Sequence, residues 1–193
     1  SGDRVVKIEG VLSGTLNYIF SNYDGTQSFS GIVKEAKQKG YTEPDPRDDL
    51  SGVDVARKIL ILARETGAGL ELSDVSIQNL VPEDCQSLNS PEAFLDKLQS
   101  HDDAFQALAK VAKDKNEKLR YMAVVENNKA VVKLASVKQD HPFYSLSGSD
   151  NIILITTERY YDRPLVIRGP GAGAEVTAAG VFADVIRIGN YSI

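Results

Sequence analysis

The sequence predicts an α+β fold in which helices cover one face of a mainly antiparallel sheet. Apolar residues recur at helical spacing through most of the first 115 residues, whereas apolar and polar residues alternate in several segments between residues 119 and 168. Helices grouped before strands are typical of this class. Because no further helices remain to cover the second sheet face, we expect a second copy of the chain to cover it and form a homodimer.

The first elements are a strand and two helices. Alternating apolar residues predict a strand from Val5 to Val11, and Gly14 opens a short apolar helix that runs to Phe20. Ser28 or Ser30 can cap a second helix, which Gly40 would end.

A polar stretch and a long helix follow. Pro44 and Pro46 predict that residues 43–49 form a rigid loop without regular structure. Residues 50–66 have a strong helical pattern that is apolar nearly all round, so we expect a largely buried helix.

The second half of the chain supplies further helices and most of the strands. Residues 90–115 predict two amphipathic helices, the first capped by Ser90. A glycine-rich turn at residues 169–173 leads into a last helix at residues 176–188. Asn127 and Asn128 predict a hairpin turn between two strands. The predicted strands are residues 119–126, 130–137, 152–159 and 165–168.

Composition excludes several classes of function. The formal net charge of -5 gives no long-range attraction to phosphate backbones or anionic lipids, so we expect neither nucleic acid nor membrane partners. Cys85 is the only cysteine, which excludes an internal disulfide and predicts a reducing compartment rather than secretion. Neither it nor His101 and His141 has a second ligand at metal-binding spacing, and we expect no metal site.

Five carboxylates fall within twelve residues, from Glu43 to Asp54. Their spacing does not match a calcium-binding loop. One interpretation is a solvated acidic loop in which Asp48 or Asp49 caps the following helix. That interpretation leaves Lys58 unexplained.

Lys58 lies one helical turn after Asp54 in the predicted buried helix. A lysine there must extend to solvent or meet a partner, and a structural ion pair with Asp54 is one alternative. The other alternative is a proton shuttle, because buried lysines lose their charge readily and converging carboxylates lie next to it. Spacing alone does not decide between them.

Several motifs together resemble the homoserine dehydrogenase family. They are the run from Tyr41 to Lys58, the Ser13 to Phe20 segment, and the Gly169 to Gly173 turn with Val176 to Gly180 after it. The resemblance covers the chain from end to end. The sequence from Thr42 to Leu50 is most similar to the fungal enzyme and to bifunctional aspartokinase/homoserine dehydrogenases.

The resemblance implies the interconversion of L-homoserine and L-aspartate 4-semialdehyde with NADP or NAD. By position, Glu43 would hold the amino group of homoserine, and Asp54 would complete the polar pocket. The catalytic roles fall on Lys58, which would donate and accept the proton at the reacting oxygen, and on Asp49. The other residues that would line the pocket are Gly14, Thr15 and Tyr41.

The glycine turn has two interpretations. Gly169, Gly171 and Ala174 fit a G-x-G-x-x-A fingerprint, but no βαβ unit surrounds them, and close packing of the last helix is an equal alternative. The resemblance implies that Gly173 approaches the cofactor. We expect residues 1–168 to form the catalytic and dimerisation domain and residues 169–193 to pack on a nucleotide-binding domain.

The resemblance also implies parts that this sequence does not contain. A dinucleotide-binding domain, with a second essential lysine and a monovalent cation site, would precede the chain. We therefore expect the isolated chain to have little or no activity, in a parent enzyme of the cytoplasm or plastid stroma. The alternative is a non-catalytic dimerisation module in which Asp54 and Lys58 are a structural pair.

Overall fold

The computed structural model describes residues 2–191 and contains one six-stranded sheet with the strand order β2-β4-β3-β1-β5-β6. Residues 1, 192 and 193 lie outside the described part. They include the first residue of the predicted domain 1–168 and the last residues of the predicted domain 169–193. Neighbouring strands are antiparallel except β2 and β4. The strands are β1 (Val5–Val11), β2 (Val75–Ile77), β3 (Lys118–Glu126), β4 (Lys129–Val137), β5 (Asp150–Thr157) and β6 (Leu165–Pro170).

Helices connect the strands and pack mainly on one sheet face. Short 3-10 turns at Leu72–Asp74 and Gln99–His101 join some of them. The α-helices are α1 (Gly14–Asn22), α2 (Phe29–Gln38), α3 (Pro46–Leu50), α4 (Val53–Glu65), α5 (Glu83–Gln86), α6 (Pro91–Leu98), α7 (Asp102–Asp114) and α8 (Ala174–Tyr191). The predicted α+β class is confirmed.

The main core lies between the helices and one face of the sheet. Phe29 stacks on Phe105 with ring centroids 3.7 Å apart, which joins α2 to α7. Ile59 of α4 and Tyr121 of β3 are almost completely buried in the same cluster. The β3–β4 hairpin turns at Asn127 and Asn128, as the sequence predicts, and both have positive φ.

A second, smaller core lies on the opposite face of the sheet. Phe143 and Leu146, from the segment at residues 138–149, pack against Val11, Met122 and Ile152. The expectation that a second copy of the chain covers this face therefore stays a prediction for the part that the chain does not cover itself. The chain covers the middle of the face itself, while Val124 and Val131 nearby stay partly exposed.

Buried Arg120 anchors that covering segment. Its guanidinium donates to five backbone carbonyls, including Phe20 at 2.8 Å, Phe143 at 2.9 Å and Leu146 at 2.8 Å. Burial lowers the pKa of this guanidinium to about 10, which still leaves it charged at neutral pH. One side chain thus joins β3, the end of α1 and the covering segment.

Three local expectations are corrected. Pro46 does not prevent regular structure but begins α3, because a proline lacks only an N–H that is unpaired in the first turn. Helix α4 is not buried all round, since the Ile61 residue is 60% exposed. Strand β2 was not expected, because three residues are too few for an alternating pattern.

The C-terminal elements extend away from the core. Strand β6 pairs with β5, yet its residues and those of α8 are almost all exposed, including the large apolar side chains of Val166, Phe182 and Ile186. No helix in residues 2–191 combines the length and apolar character that crossing a bilayer requires.

Candidate active site

Lys58 has two partners. Its ammonium nitrogen lies 2.8 Å from Asp54 Oδ2 and donates to the backbone carbonyl of Leu12 at 3.1 Å. Leu12 follows β1, so the lysine bridges α4 and the connection between β1 and α1. The side chains of Asp54 and Lys58 are 61% and 40% exposed, which is more open than the sequence predicts.

A second group of predicted site residues lies along the same connection. Thr15, three residues after Leu12, donates its hydroxyl to the carbonyl of Tyr41 at 2.5 Å. Asp49 Oδ2 accepts the backbone N–H of Glu43 at 2.8 Å. These contacts bring the start of α1, the residues before α3 and α3 itself together.

Electrostatics distinguish Asp49 from the other carboxylates of the loop. Burial raises the pKa of Asp49, while hydrogen bonds from the Glu43 backbone and the Thr15 side chain act in the opposite direction. The nearby charges of Glu43 and Asp48 raise it further. The raised pKa means that Asp49 binds a proton more readily than an ordinary aspartate does.

Side-chain contacts as well as prolines hold the residues before α3 and the start of α3 in place. Asp45 caps α3 by accepting the N–H of Arg47 at 3.0 Å. The Arg47 guanidinium then pairs with Asp45 and donates to the carbonyls of Gln86 at 3.2 Å and Leu88 at 2.6 Å. The acidic loop is thereby fixed to the chain after α5.

An aromatic contact supports the other end of the loop. The rings of Tyr18 and Tyr41 stack with centroids 4.4 Å apart. The Tyr18 hydroxyl donates to Glu35 at 2.9 Å, and Lys39 donates to both side chains. Tyr41 is therefore held beside α1 and the end of α2, even though it is exposed to solvent.

Two glycines of the predicted site differ in their surroundings. A Cβ on Gly14 would lie 2.9 Å from the Ser149 carbonyl oxygen, so a larger residue would push the start of α1 away from that segment. Gly173 has φ +128, is exposed, and has open space where a Cβ would lie. No side chain at Gly173 hinders the approach of a ligand to its backbone.

Comparison with known proteins decides the family. The family model for homoserine dehydrogenase matches residues 1–186. The chain belongs to the homoserine dehydrogenase family.

Relatives include long bifunctional enzymes and shorter homoserine dehydrogenases. The chain is 56% identical over 193 residues to the chloroplastic bifunctional aspartokinase/homoserine dehydrogenase 1 of Zea mays, covering 99% of this chain and 21% of that protein. It is 49% identical to the homoserine dehydrogenase of Schizosaccharomyces pombe, covering 97% and 52% respectively. The chain thus spans a fifth to about half of these relatives.

Solved structures of similar proteins share the fold of this chain. A Candida auris protein of unknown function is 48% identical with a TM-score of 0.92, and the match covers 98% of this chain and 55% of that chain. A Staphylococcus aureus homoserine dehydrogenase is 25% identical with a TM-score of 0.74, covering 98% and 44% respectively.

Sequence reasoning missed two groups in this segment of the homoserine dehydrogenase fold. One is the Leu12 carbonyl that holds Lys58, since a backbone acceptor leaves no trace in side-chain patterns. The other is Asn151, whose amide donates to the same carbonyl at 3.4 Å. A polar residue before the apolar run of β5 was the only available signal.

A separate polar cluster lies at the start of α5. Asp84, Cys85 and His101 each offer one ligand atom within 4.8 Å of the others, a grouping that sequence spacing does not reveal. The expectation of no metal site stays a prediction. The Lys97 ammonium lies 3.0 Å from Asp84 Oδ2, and burial raises the pKa of the Cys85 thiol. We assign the cluster a structural role, because a cation already neutralises the carboxylate.

Proposed function

We propose that the chain is the catalytic segment of an enzyme that interconverts L-homoserine and L-aspartate 4-semialdehyde with NADP or NAD. The observation that carries the proposal is the connection from Leu12 to Thr15. Leu12, its first residue, accepts a hydrogen bond from the Lys58 ammonium, and Thr15, its last residue, donates to the Tyr41 carbonyl. Two residues after Tyr41, the Glu43 N–H donates to Asp49. The proton-transfer group and the carboxylates are thus tied to four consecutive residues.

The chemistry of homoserine matches these groups. Its ammonium requires carboxylate acceptors, which Glu43 and Asp54 offer, with Asp49 fixing the backbone at Glu43. Its hydroxyl requires a group that removes a proton as the carbon loses a hydride. Lys58, as the neutral amine, would take that proton on oxidation and become an ammonium. On reduction the ammonium would return the proton to the carbonyl oxygen.

The nicotinamide cofactor, when bound, accepts or supplies the hydride. In this chain, Gly173 fits a close approach of that group because its backbone is open and its φ excludes most other residues. The role of residues 169–191 would be to reach the nucleotide-binding domain, on which the exposed apolar face of α8 would pack. The expected monovalent cation site would belong to that other domain.

The exposure of Asp54 and Lys58 favours this proposal over a dimerisation module with a structural ion pair. An exposed i,i+4 pair contributes only about 0.3–0.5 kcal/mol, too little to explain why both charges are present. A proton-transfer group must instead remain open to its substrate.

Turnover of the parent dehydrogenase tests the proposal. We expect Lys58→Ala to abolish homoserine-dependent reduction of NADP or NAD, whereas Lys34→Ala, which removes an exposed lysine of α2, should retain it. We expect Glu43→Ala to weaken homoserine binding measured by calorimetry. Unchanged turnover in Lys58→Ala would overturn the assignment in favour of the dimerisation module.

The partner for the rest of the sheet would be a second copy of the chain. Val124 and Val131, both apolar and partly exposed, lie in a cleft of about 480 Å³ beside the segment that covers the second core. A symmetric contact there would bury these apolar side chains.

A further inference from the structure

Asn151 lies where the two halves of the proposed site meet. It is the second residue of β5, and its amide nitrogen donates to the Leu12 carbonyl at 3.4 Å. The same carbonyl accepts the Lys58 ammonium at 3.1 Å. One backbone oxygen therefore joins Asn151 to the proposed proton-transfer group.

The other side of the Asn151 amide contacts the glycine turn. A Cβ placed on Gly171 would lie well inside van der Waals contact with the Asn151 amide nitrogen. In contrast, a Cβ on Gly169 would meet open space. Gly171 therefore has no room for a Cβ while Asn151 packs against its backbone.

The segment before Asn151 is fixed in place. Asn17 of α1 donates to the carbonyls of Gly148 at 3.1 Å and Asp150 at 3.0 Å. Arg168 of β6 lies 3.1 Å from Asp150. These contacts prevent the Asn151 backbone from shifting away from Leu12 or from the turn.

Packing alone does not explain an amide at this position. Asn151 Oδ1 is buried and has no hydrogen-bond partner among the described residues. An unpaired buried acceptor destabilises a fold. A group of this kind in a folded protein calls for an explanation other than packing, and a functional role is one.

We propose that Asn151 is a positioning residue that couples Lys58 to the glycine turn. Its amide N–H holds the Leu12 carbonyl that orients the lysine, and its packing against Gly171 sets the distance from that carbonyl to the turn. The inference rests on the proposed function, because it assigns Asn151 to the same site.

Kinetics of the parent dehydrogenase test the role. We expect Asn151→Ala to lower kcat on the order of tenfold, the effect of losing one orienting hydrogen bond, with little change in the KM for homoserine. The pH profile of kcat should also shift, because the anchor of Lys58 changes. A structural role alone would leave kcat and the pH profile as they are and change only the thermal midpoint.

A second pair of variants tests the contact with the turn. We expect Gly171→Ala to impair kcat in the wild-type background and to have a much smaller additional effect in the Asn151→Ala background, where the clash is gone. Gly169→Ala is the matched control and should have little effect in either background. Isosteric Asn151→Asp, which replaces the N–H donor by an oxygen, should lower kcat as Asn151→Ala does.

The outcomes separate this inference from the proposed function. If Lys58→Ala abolishes turnover while both Asn151 variants retain wild-type kcat and pH profile, the coupling is wrong and the function stands. An equal effect of Gly171→Ala in both backgrounds would likewise overturn the coupling. Unchanged turnover in Lys58→Ala would instead overturn the function.

Discussion

At the residue scale, the proposed role of Lys58 and Asp54 is one in which a charged pair would serve chemistry while contributing little to the stability of the fold. Both side chains reach solvent, and their attraction is screened there. The lysine keeps a second contact, to the Leu12 carbonyl, that fixes its direction. We therefore expect Lys58 to matter through the orientation of its ammonium and not through a contribution to stability.

We expect Lys58→Met to change the free energy of unfolding of the chain by less than about 1 kcal/mol, because an exposed pair contributes little. Urea unfolding at neutral pH measures the difference, with Lys34→Met as the control on an exposed helix surface. A loss of several kcal/mol would show that the pair is structural.

Asp49 gives a prediction for pH. Its pKa is raised by burial above the ordinary 3.8, so the folded state disfavours the ionised form and loses stability as the pH rises from that value through the raised pKa. Asp49→Asn, which keeps an acceptor for the Glu43 N–H, should raise the thermal midpoint at neutral pH by a few degrees, as about 1 kcal/mol would.

The advantage of Asp49→Asn should shrink as the pH falls below 3.8, where the wild-type carboxyl is protonated in both states. Calorimetric midpoints across this pH range measure the difference, with Asp96→Asn at an exposed position of α6 as the control. A midpoint below that of the wild type at neutral pH would contradict the assignment of burial as the dominant effect.

At the element scale, Gly52 sets the junction between α3 and α4. It has φ +75, a conformation that favours glycine, and a Cβ there would collide with the Tyr121 hydroxyl. That hydroxyl donates to the Gln78 carbonyl at 2.7 Å, so it cannot move freely. The junction directs α4, and with it Asp54 and Lys58, across β3.

We expect Gly52→Ala to cost about 3 kcal/mol or more, since backbone strain of about 1–3 kcal/mol adds to the collision with Tyr121. Gly67→Ala isolates the strain, because Gly67 has φ +91 but open space at the Cβ position. Equal losses for the two variants in chemical denaturation would contradict a role for Tyr121.

The elements also show what the sequence could predict. The helix of residues 90–98 and the Asn127-Asn128 hairpin follow from local signals, a serine cap before a proline and adjacent asparagines, and both were predicted correctly. Strand β2 and the packing of Phe143 depend on contacts between distant segments. Local patterns carry no information about such contacts.

The candidate site divides in the same way. The carboxylates and the lysine of the Tyr41 to Lys58 run suggested a site from the sequence, and the family match covers that run, while the roles of its residues stay predictions. The exposure of Lys58 was not predictable, because the apolar pattern of α4 gives no sign that Ile61 lies at the surface. The contact of the Leu12 carbonyl with Lys58 could be recognised only from the three-dimensional structure.

At the scale of the whole molecule, two surfaces concern the proposed assembly. One is β6 with α8, where large apolar side chains are exposed, and the other is the part of the sheet where Val124 and Val131 are partly exposed beside charged side chains. We assign the first to the nucleotide-binding domain and the second to another copy of the chain. The two surfaces can therefore be tested separately.

We expect Val131→Arg to weaken or abolish the proposed homodimer, because two like charges and two lost apolar contacts would meet at a symmetric interface. Sedimentation velocity across a concentration series measures the shift to monomer. Val111→Arg, on the exposed side of α7, is the control and should leave the assembly unchanged. Wild-type association of the Val131 variant would place the interface elsewhere.

Arg120 has a consequence for the order in which the fold opens. Its guanidinium holds the carbonyls of Phe143 and Leu146 and also that of Phe20, which lies more than 100 residues earlier in the chain. The end of α1 and the covering segment cannot be released one at a time without leaving a buried charge short of acceptors. In native-state hydrogen exchange, amides of both regions should therefore open together as one cooperative unit.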